Sequence, residues 1–139
     1  MKNSKGFTLI ELMIAVVVLS ILAAIAYPSF LEQVKKARRS DAKQSLMAVA
    51  AKLEQFYQDN KGYPTVANMG RLGYGGTTFT SPEDYYTISF NGAPTSTSYS
   101  IQADPAATSQ ADDTGCAIFR LDHLGVKSVT GTLSAARCW

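Results

Sequence analysis

From Phe7 to Leu31 the chain runs for 25 residues with a single charged side chain, Glu11. Wound as an α-helix, that run is roughly 37 Å long, enough to cross a hydrocarbon core of about 30 Å with some tilt. Such a segment must be covered by lipid, by a protein core or by other chains. A buried soluble helix fits its length and uniform apolarity poorly. Ahead of it stands Met1-Lys2-Asn3-Ser4-Lys5-Gly6, which is short, polar and basic. An ordinary secretory signal peptide is the main rival reading. Lys2 and Lys5 would be its charged region, residues 7–23 its apolar region and Ala24-Ile25-Ala26 its cleavage site. Two features weigh against that rival. Glu11 lies inside the apolar run, where an acid costs about 2.5–3.5 kcal/mol on insertion scales, less near a helix end. Beyond Pro28, moreover, the helical pattern resumes instead of giving way to a new domain.

After Pro28 the pattern becomes amphipathic. Ala42, Leu46, Val49, Ala50, Leu53, Phe56 and Tyr57 recur at spacings of three and four, one stripe of a 3.6-period helix. Pro28 lacks a backbone donor and is expected to kink the helix. Asn60-Lys61-Gly62-Tyr63-Pro64 reads as a stop, with Gly62 taking the left-handed cap and Pro64 blocking continuation. Residues 63–84 are rich in Gly, Thr, Asn and Pro and read as a loop. Alternating runs follow at Tyr85–Phe90, at Tyr99–Ala103 and around Ala117, Phe119 and Leu121. A hairpin loop at Asp122–Gly125 leads to a short fourth run, Val126–Val129. The expected fold class is therefore α+β: a long N-terminal helix, transmembrane in its first half, packed on a four-stranded antiparallel sheet.

Cys116 and Cys138 are the two cysteines of the chain. In a small domain outside the cytosol they read most simply as one bridge, with free buried thiols as the alternative. Their spacing fits neither CxxC redox chemistry nor a four-ligand zinc site. Residues 61–139 carry five Lys/Arg against six Asp/Glu, a local charge of −1. A strongly basic domain is the usual footprint of a nucleic-acid binder, and this part lacks one. Arg71, Arg120, Lys127 and Arg137 remain the candidates for a DNA contact if they gather on one face.

No catalytic constellation stands out, so an enzyme is not expected, nor are a metal site or a cofactor. His123 is the only histidine and reads as a loop residue. Asp112-Asp113 lacks the patterned oxygen ligands of a calcium loop. No nucleophile has a partnered base, and no Gly-rich phosphate loop opens a helix.

Gly6-Phe7-Thr8-Leu9-Ile10-Glu11, with the apolar stretch behind it, resembles the type IV prepilin signature. The resemblance covers Lys5 to about Pro28. It implies a prepilin peptidase that cuts between Gly6 and Phe7 and methylates the new amino group of Phe7, leaving the apolar helix on the mature protein. It also implies that Glu11 pairs with the Phe7 amino group of an adjacent subunit during assembly; the alternative is that Glu11 merely snorkels into the headgroups. One departure stands out, since many relatives have glycine where this chain has Ser20. In assembled filaments of the family the helix can unwind between that point and the proline. A second resemblance spans Thr97–Pro105, Cys116–Leu121, Gly125 and Cys138-Trp139. It points to PilE-type minor pilins and ComP-like pilins, whose C-terminal disulfide pins the last strands.

These readings divide the chain into a cleaved leader at 1–6, a transmembrane and assembly helix at 7–30, the amphipathic helix of a head at 31–62, a loop at 63–84, and a sheet with a disulfide-bounded region at 85–139. The function implied is a structural subunit, more minor than major, of a type IV pilus serving motility, adhesion or DNA uptake. Its expected partners are other pilin subunits, the prepilin peptidase, the inner-membrane assembly platform and the inner membrane itself. The head would lie outside the cytoplasm before it joins the extracellular fibre. The alternatives are a DNA-binding uptake receptor, with DNA the less favoured partner, and a pseudopilin of a type II secretion system. One count opposes the orientation: Lys35, Lys36, Arg38 and Arg39 follow the span while Lys2 and Lys5 precede it, and a simple positive-inside count leaves the head in the cytoplasm.

Overall fold

The computed structural model describes residues 6–106 and 110–139; residues 1–5 of the expected leader lie outside them. Helix α1 covers Leu9–Asn60, and the chain divides into one unit ending at Val34 and a second, Lys35–Trp139. In the first unit the helix opens on Thr8. The Glu11 amide donates to Thr8 Oγ1 at 3.3 Å, the bond an N-cap threonine makes to the third helical residue. The Ser20 hydroxyl donates back to the Val16 carbonyl at 2.8 Å, so its polar group is satisfied within the helix. Pro28 lies inside the helix.

In the second unit α1 buries Ala42, Leu46, Val49 and Leu53, spaced four, three and four residues apart. They pack with a sheet of five antiparallel strands arranged in chain order: β1 Thr78–Thr80, β2 Tyr86–Phe90, β3 Ser100–Pro105, β4 Phe119–Asp122 and β5 Lys127–Val129. Burial alternates along the central strands as the pleat requires. Tyr86, Ile88 and Phe90, then Ile101 and Ala103, then Phe119 and Leu121 turn into the core. Packing these side chains against the α1 stripe is what fixes strand register, because a one-residue slip would turn the whole apolar set outward.

The sheet has five strands where four were expected. The extra strand, β1, falls within the segment read as a loop, which also holds a 3₁₀ turn at Met69–Leu72. The sheet thus starts at residue 78 and not at 85. Tyr99 precedes β3, and Ala117 stands outside β4 with φ of 49°. At the end of α1 it is Lys61, at φ 56°, that turns left-handed, not Gly62. Gly62 is small for another reason: a Cβ there would stand 3.2 Å from the Ser96 carbonyl oxygen.

Cys116 and Cys138 are bonded to each other. Beside the bridge, segment 114–118 pairs with 130–133: Gly131 N–H donates to Cys116 O, Leu133 N–H to Gly115 O and Thr130 N–H to Ile118 O. Gly131 has no room for a side chain, since a Cβ would fall 2.1 Å from the Gly115 carbonyl oxygen. A short helix α2, Ala135–Cys138, closes the chain, and Trp139 packs edge-on against Phe119.

Candidate assembly surface

Every large apolar side chain from Phe7 to Leu31 is exposed, Leu9 at 76% and Leu19 at 64% among them. Mean hydropathy over the most apolar window of this helix is 2.8, and none of that window is buried. A soluble chain cannot leave so much apolar surface in water, so lipid or other subunits must cover it. Glu11 is the charged group within this surface, one turn from Phe7. The Thr8 cap engages the Glu11 amide, and the Glu11 residue itself is exposed.

In the head the charged residues after the span have structural work. Arg39 is buried and donates through Nε and Nη2 to the two carboxylate oxygens of Asp113, both at 2.7 Å. Gln110 Nε2 donates to Asp113 Oδ2 at 3.2 Å and to the Lys35 carbonyl at 3.4 Å. Lys35 Nζ reaches the Asp112 carbonyl at 3.1 Å, and the Arg38 guanidinium lies 4.9 Å over the Tyr85 ring. Burial alone would raise the Asp113 carboxyl, but the hydrogen bonds and charge of Arg39, with the Cys116 amide and Gln110, outweigh it and hold it below its ordinary value. Three of the four basic residues that complicated the orientation count are therefore internal partners of the folded head. The sequence reading missed this latch because Arg39 and Asp113 are 74 residues apart. It also missed Asp41, buried in α1, which accepts from the Ser81 hydroxyl and holds the turn before β2.

The four candidate DNA contacts do not share one face. Arg120 pairs across the ladder with Ser128 and donates to Gln102 Oε1 at 3.3 Å, on the outer face of the sheet. Lys127 pairs with Leu121, so the pleat sends it to the opposite face, where its Nζ sits 5.1 Å over the Trp139 ring. Arg71 belongs to the 3₁₀ turn, its guanidinium 5.8 Å over the ring of Phe56. Arg137 is exposed on α2. His123 sits in the β4–β5 turn, its amide bonded to the Tyr99 carbonyl at 3.1 Å. Among the described residues no group of three or more His, Cys, Asp or Glu is arranged to hold a metal ion.

Residues 28–120 match the family described as type IV minor pilin ComP, DNA uptake sequence receptor, and residues 1–27 match the prokaryotic N-terminal methylation motif. The chain belongs to the ComP family of type IV minor pilins. This pilin is 36% identical over 93 residues to the major component of the type IV narrow pilus of Thermus thermophilus, a match covering 64% of this chain and 80% of that protein. It is also 32% identical over 85 residues to type II secretion system core protein G of Dickeya chrysanthemi, covering 60% of this chain and 56% of that one. The first curated relatives it matches are spanned only in part, 30% of one and 56% and 45% of the next two. The solved non-core minor pilin PilV of Neisseria meningitidis shares the fold: TM-score 0.56 at 18% identity, over 71% of this pilin and 89% of PilV. By length and composition the first half of α1 could cross a membrane.

Proposed function

We propose that this pilin is a structural, minor subunit of a type IV pilus. A prepilin peptidase removes residues 1–6 between Gly6 and Phe7 and methylates Phe7. The mature chain waits in the inner membrane on residues 7–30, with the head, residues 31–139, outside the cytoplasm. An inner-membrane assembly platform then passes it into the fibre. There the Glu11 carboxylate meets the methylated amino group of an adjacent subunit's Phe7, a desolvated pair that sets the register of packing. Pro28 and Ser20 mark the stretch of helix where packing can be adjusted. The observation that carries this reading is the wholly exposed apolar run from Phe7 to Leu31, joined to a methylation motif over residues 1–27.

The test is fractionation of cells that make the full chain. Fibres sheared from the surface are expected to contain it, shortened by its leader. A chain confined to the membrane, with no fibre-bound fraction, would favour a secretion-system pseudopilin and contradict the reading.

The family's description as a DNA uptake sequence receptor supports a second reading, in which the head binds DNA. Against strong phosphate binding stand the slight negative balance of residues 61–139 and the dispersal of Arg71, Arg120, Lys127 and Arg137. The outer sheet face, with Arg120 beside Gln102, is the place such a contact would use.

A further inference from the structure

Three asparagines of the head region stand in different settings. Asn60 Nδ2 donates to the Phe56 carbonyl at 2.9 Å, and Asn68 Oδ1 accepts from the Gly70 amide at 2.8 Å. Each is followed by a residue with a long side chain, Lys61 and Met69. Asn91 is followed by Gly92. Its amide donates to the Ser100 carbonyl at 2.9 Å, so the β2–β3 ladder runs one residue beyond the end of β2. Phe90 turns into the core, and the pleat therefore sends the Asn91 side chain to the outer face of the sheet. There its Nδ2 lies 3.3 Å from Ser100 Oγ. Asn91 and Gly92 are both exposed. Gly92 takes φ of 85°, and a Cβ built on it would meet nothing within 4 Å. Among the described residues the Gly92 amide has no hydrogen-bond acceptor.

We propose that Asn91-Gly92 is a self-modifying site, at which the Asn91 carboxamide is converted to an acid without an enzyme. The Gly92 nitrogen gives its proton to solvent base and attacks Asn91 Cγ. The new N–C bond closes a five-membered succinimide. The Cγ–Nδ2 bond breaks, and the nitrogen leaves as ammonia with a proton relayed through the Ser100 hydroxyl or water. Water then opens the ring at either carbonyl, giving aspartate or, with the main chain rerouted through the side chain, isoaspartate. Only water is consumed and no oxidant is needed. Glycine suits the second position because it carries no side chain to obstruct the ring and its backbone can swing into the attacking geometry. An exposed site with a free amide offers no bond that must first be broken. Asn60 and Asn68 have engaged side chains and a bulky successor.

The conversion changes the surface of the head. Ser100 stands opposite Asp122 in the ladder, so Asn91, Ser100 and Asp122 form one row across the outer face. An acid at position 91 adds a second carboxylate to that row and takes residues 61–139 from a formal charge of −1 to −2. The site depends only on the head's own fold, whether or not the chain enters a fibre.

The full chain in detergent would be held in mildly alkaline buffer, and its peptides followed by mass spectrometry. Position 91 is expected to gain the mass of an amide-to-acid conversion an order of magnitude faster than positions 60 and 68 in the same molecules. The product is expected to be a mixture of aspartate and isoaspartate, the second detected by an isoaspartyl methyltransferase. Gly92→Ala should slow the conversion by a similar factor, and Asn91→Gln should abolish it. Conversion at position 91 no faster than at Asn60 and Asn68 would overturn the proposal, even if Gly92→Ala failed to fold. Aspartate as the sole product, or an unchanged rate in folded Gly92→Ala, would overturn the ring-closing route.

Discussion

Arg39 and Asp113 form a buried two-pronged ion pair, both bonds 2.7 Å long, that fastens the segment before the disulfide to the base of the head's helix. Because the pair is desolvated, removing one partner strands the other charge. Arg39→Gln or Asp113→Ala is expected to destabilise the head by about 3–5 kcal/mol, read from denaturant unfolding of the full chain in detergent.

The same pair makes stability depend on acid. Asp113 titrates below its ordinary value when folded, so its contribution is fully present above about pH 4, the unfolded value, and is lost as pH falls through the folded one. Wild-type stability should fall in that acid window. Asp113→Asn should show a shallower fall, and an identical slope for both proteins would exclude Asp113 as the source.

The disulfide region makes a steric prediction. Gly131→Ala forces a methyl group into the Gly115 carbonyl and should cost about 1–3 kcal/mol, the usual range for overpacking. Cys138→Ser should cost about 2–5 kcal/mol by releasing the bridge to Cys116. Both are read as shifts in unfolding midpoint, and an unchanged midpoint in Gly131→Ala would mean this backbone crossing is not tight.

Binding of DNA by the full chain in detergent is expected to be weak, sequence-independent and steeply reduced by salt. A filter-binding series with labelled duplexes measures it. Sub-micromolar affinity at physiological salt, lost in Arg120→Gln, would make the receptor reading the better one.

Much of this molecule could be read directly from residue order. The helix stripe Ala42, Leu46, Val49 and Leu53 and the alternation in β2 and β3 are periodic, and each appears in the fold as expected. β1 was hidden because Thr78-Phe79-Thr80 offers one apolar residue after a run of glycines. It is a strand because Phe79 pairs opposite Ile88. Helix α2 is four residues long and takes its place from the disulfide at Cys138. The Arg39–Asp113 latch and the Asp41–Ser81 contact join distant segments, and no local pattern announces such pairs. Glu11 stood out as the one charge in an apolar helix and Phe7 by its place in the signature, and the roles given to both belong to the proposal, while the cap made by Thr8 emerged from the geometry of the first turn.

Glu11 carries the assembly claim. Glu11→Ala should be cleaved and inserted in the membrane like wild type, yet enter fibres poorly in cells that also supply wild-type subunits. Equal incorporation would leave Glu11 a snorkelling residue with no part in register.

Most direct of all is the mass and N-terminal residue of the mature protein. A Cβ at Gly6 meets nothing within 4 Å in the chain itself, so any effect of a bulkier residue there must arise in the peptidase. The mature chain is expected to begin at Phe7 with a methylated amino group, and a bulky replacement of Gly6 is expected to leave the precursor uncut. A mature protein beginning at Tyr27 would mean that the apolar segment is a discarded signal peptide, and the account of a pilin that assembles through that helix would be contradicted.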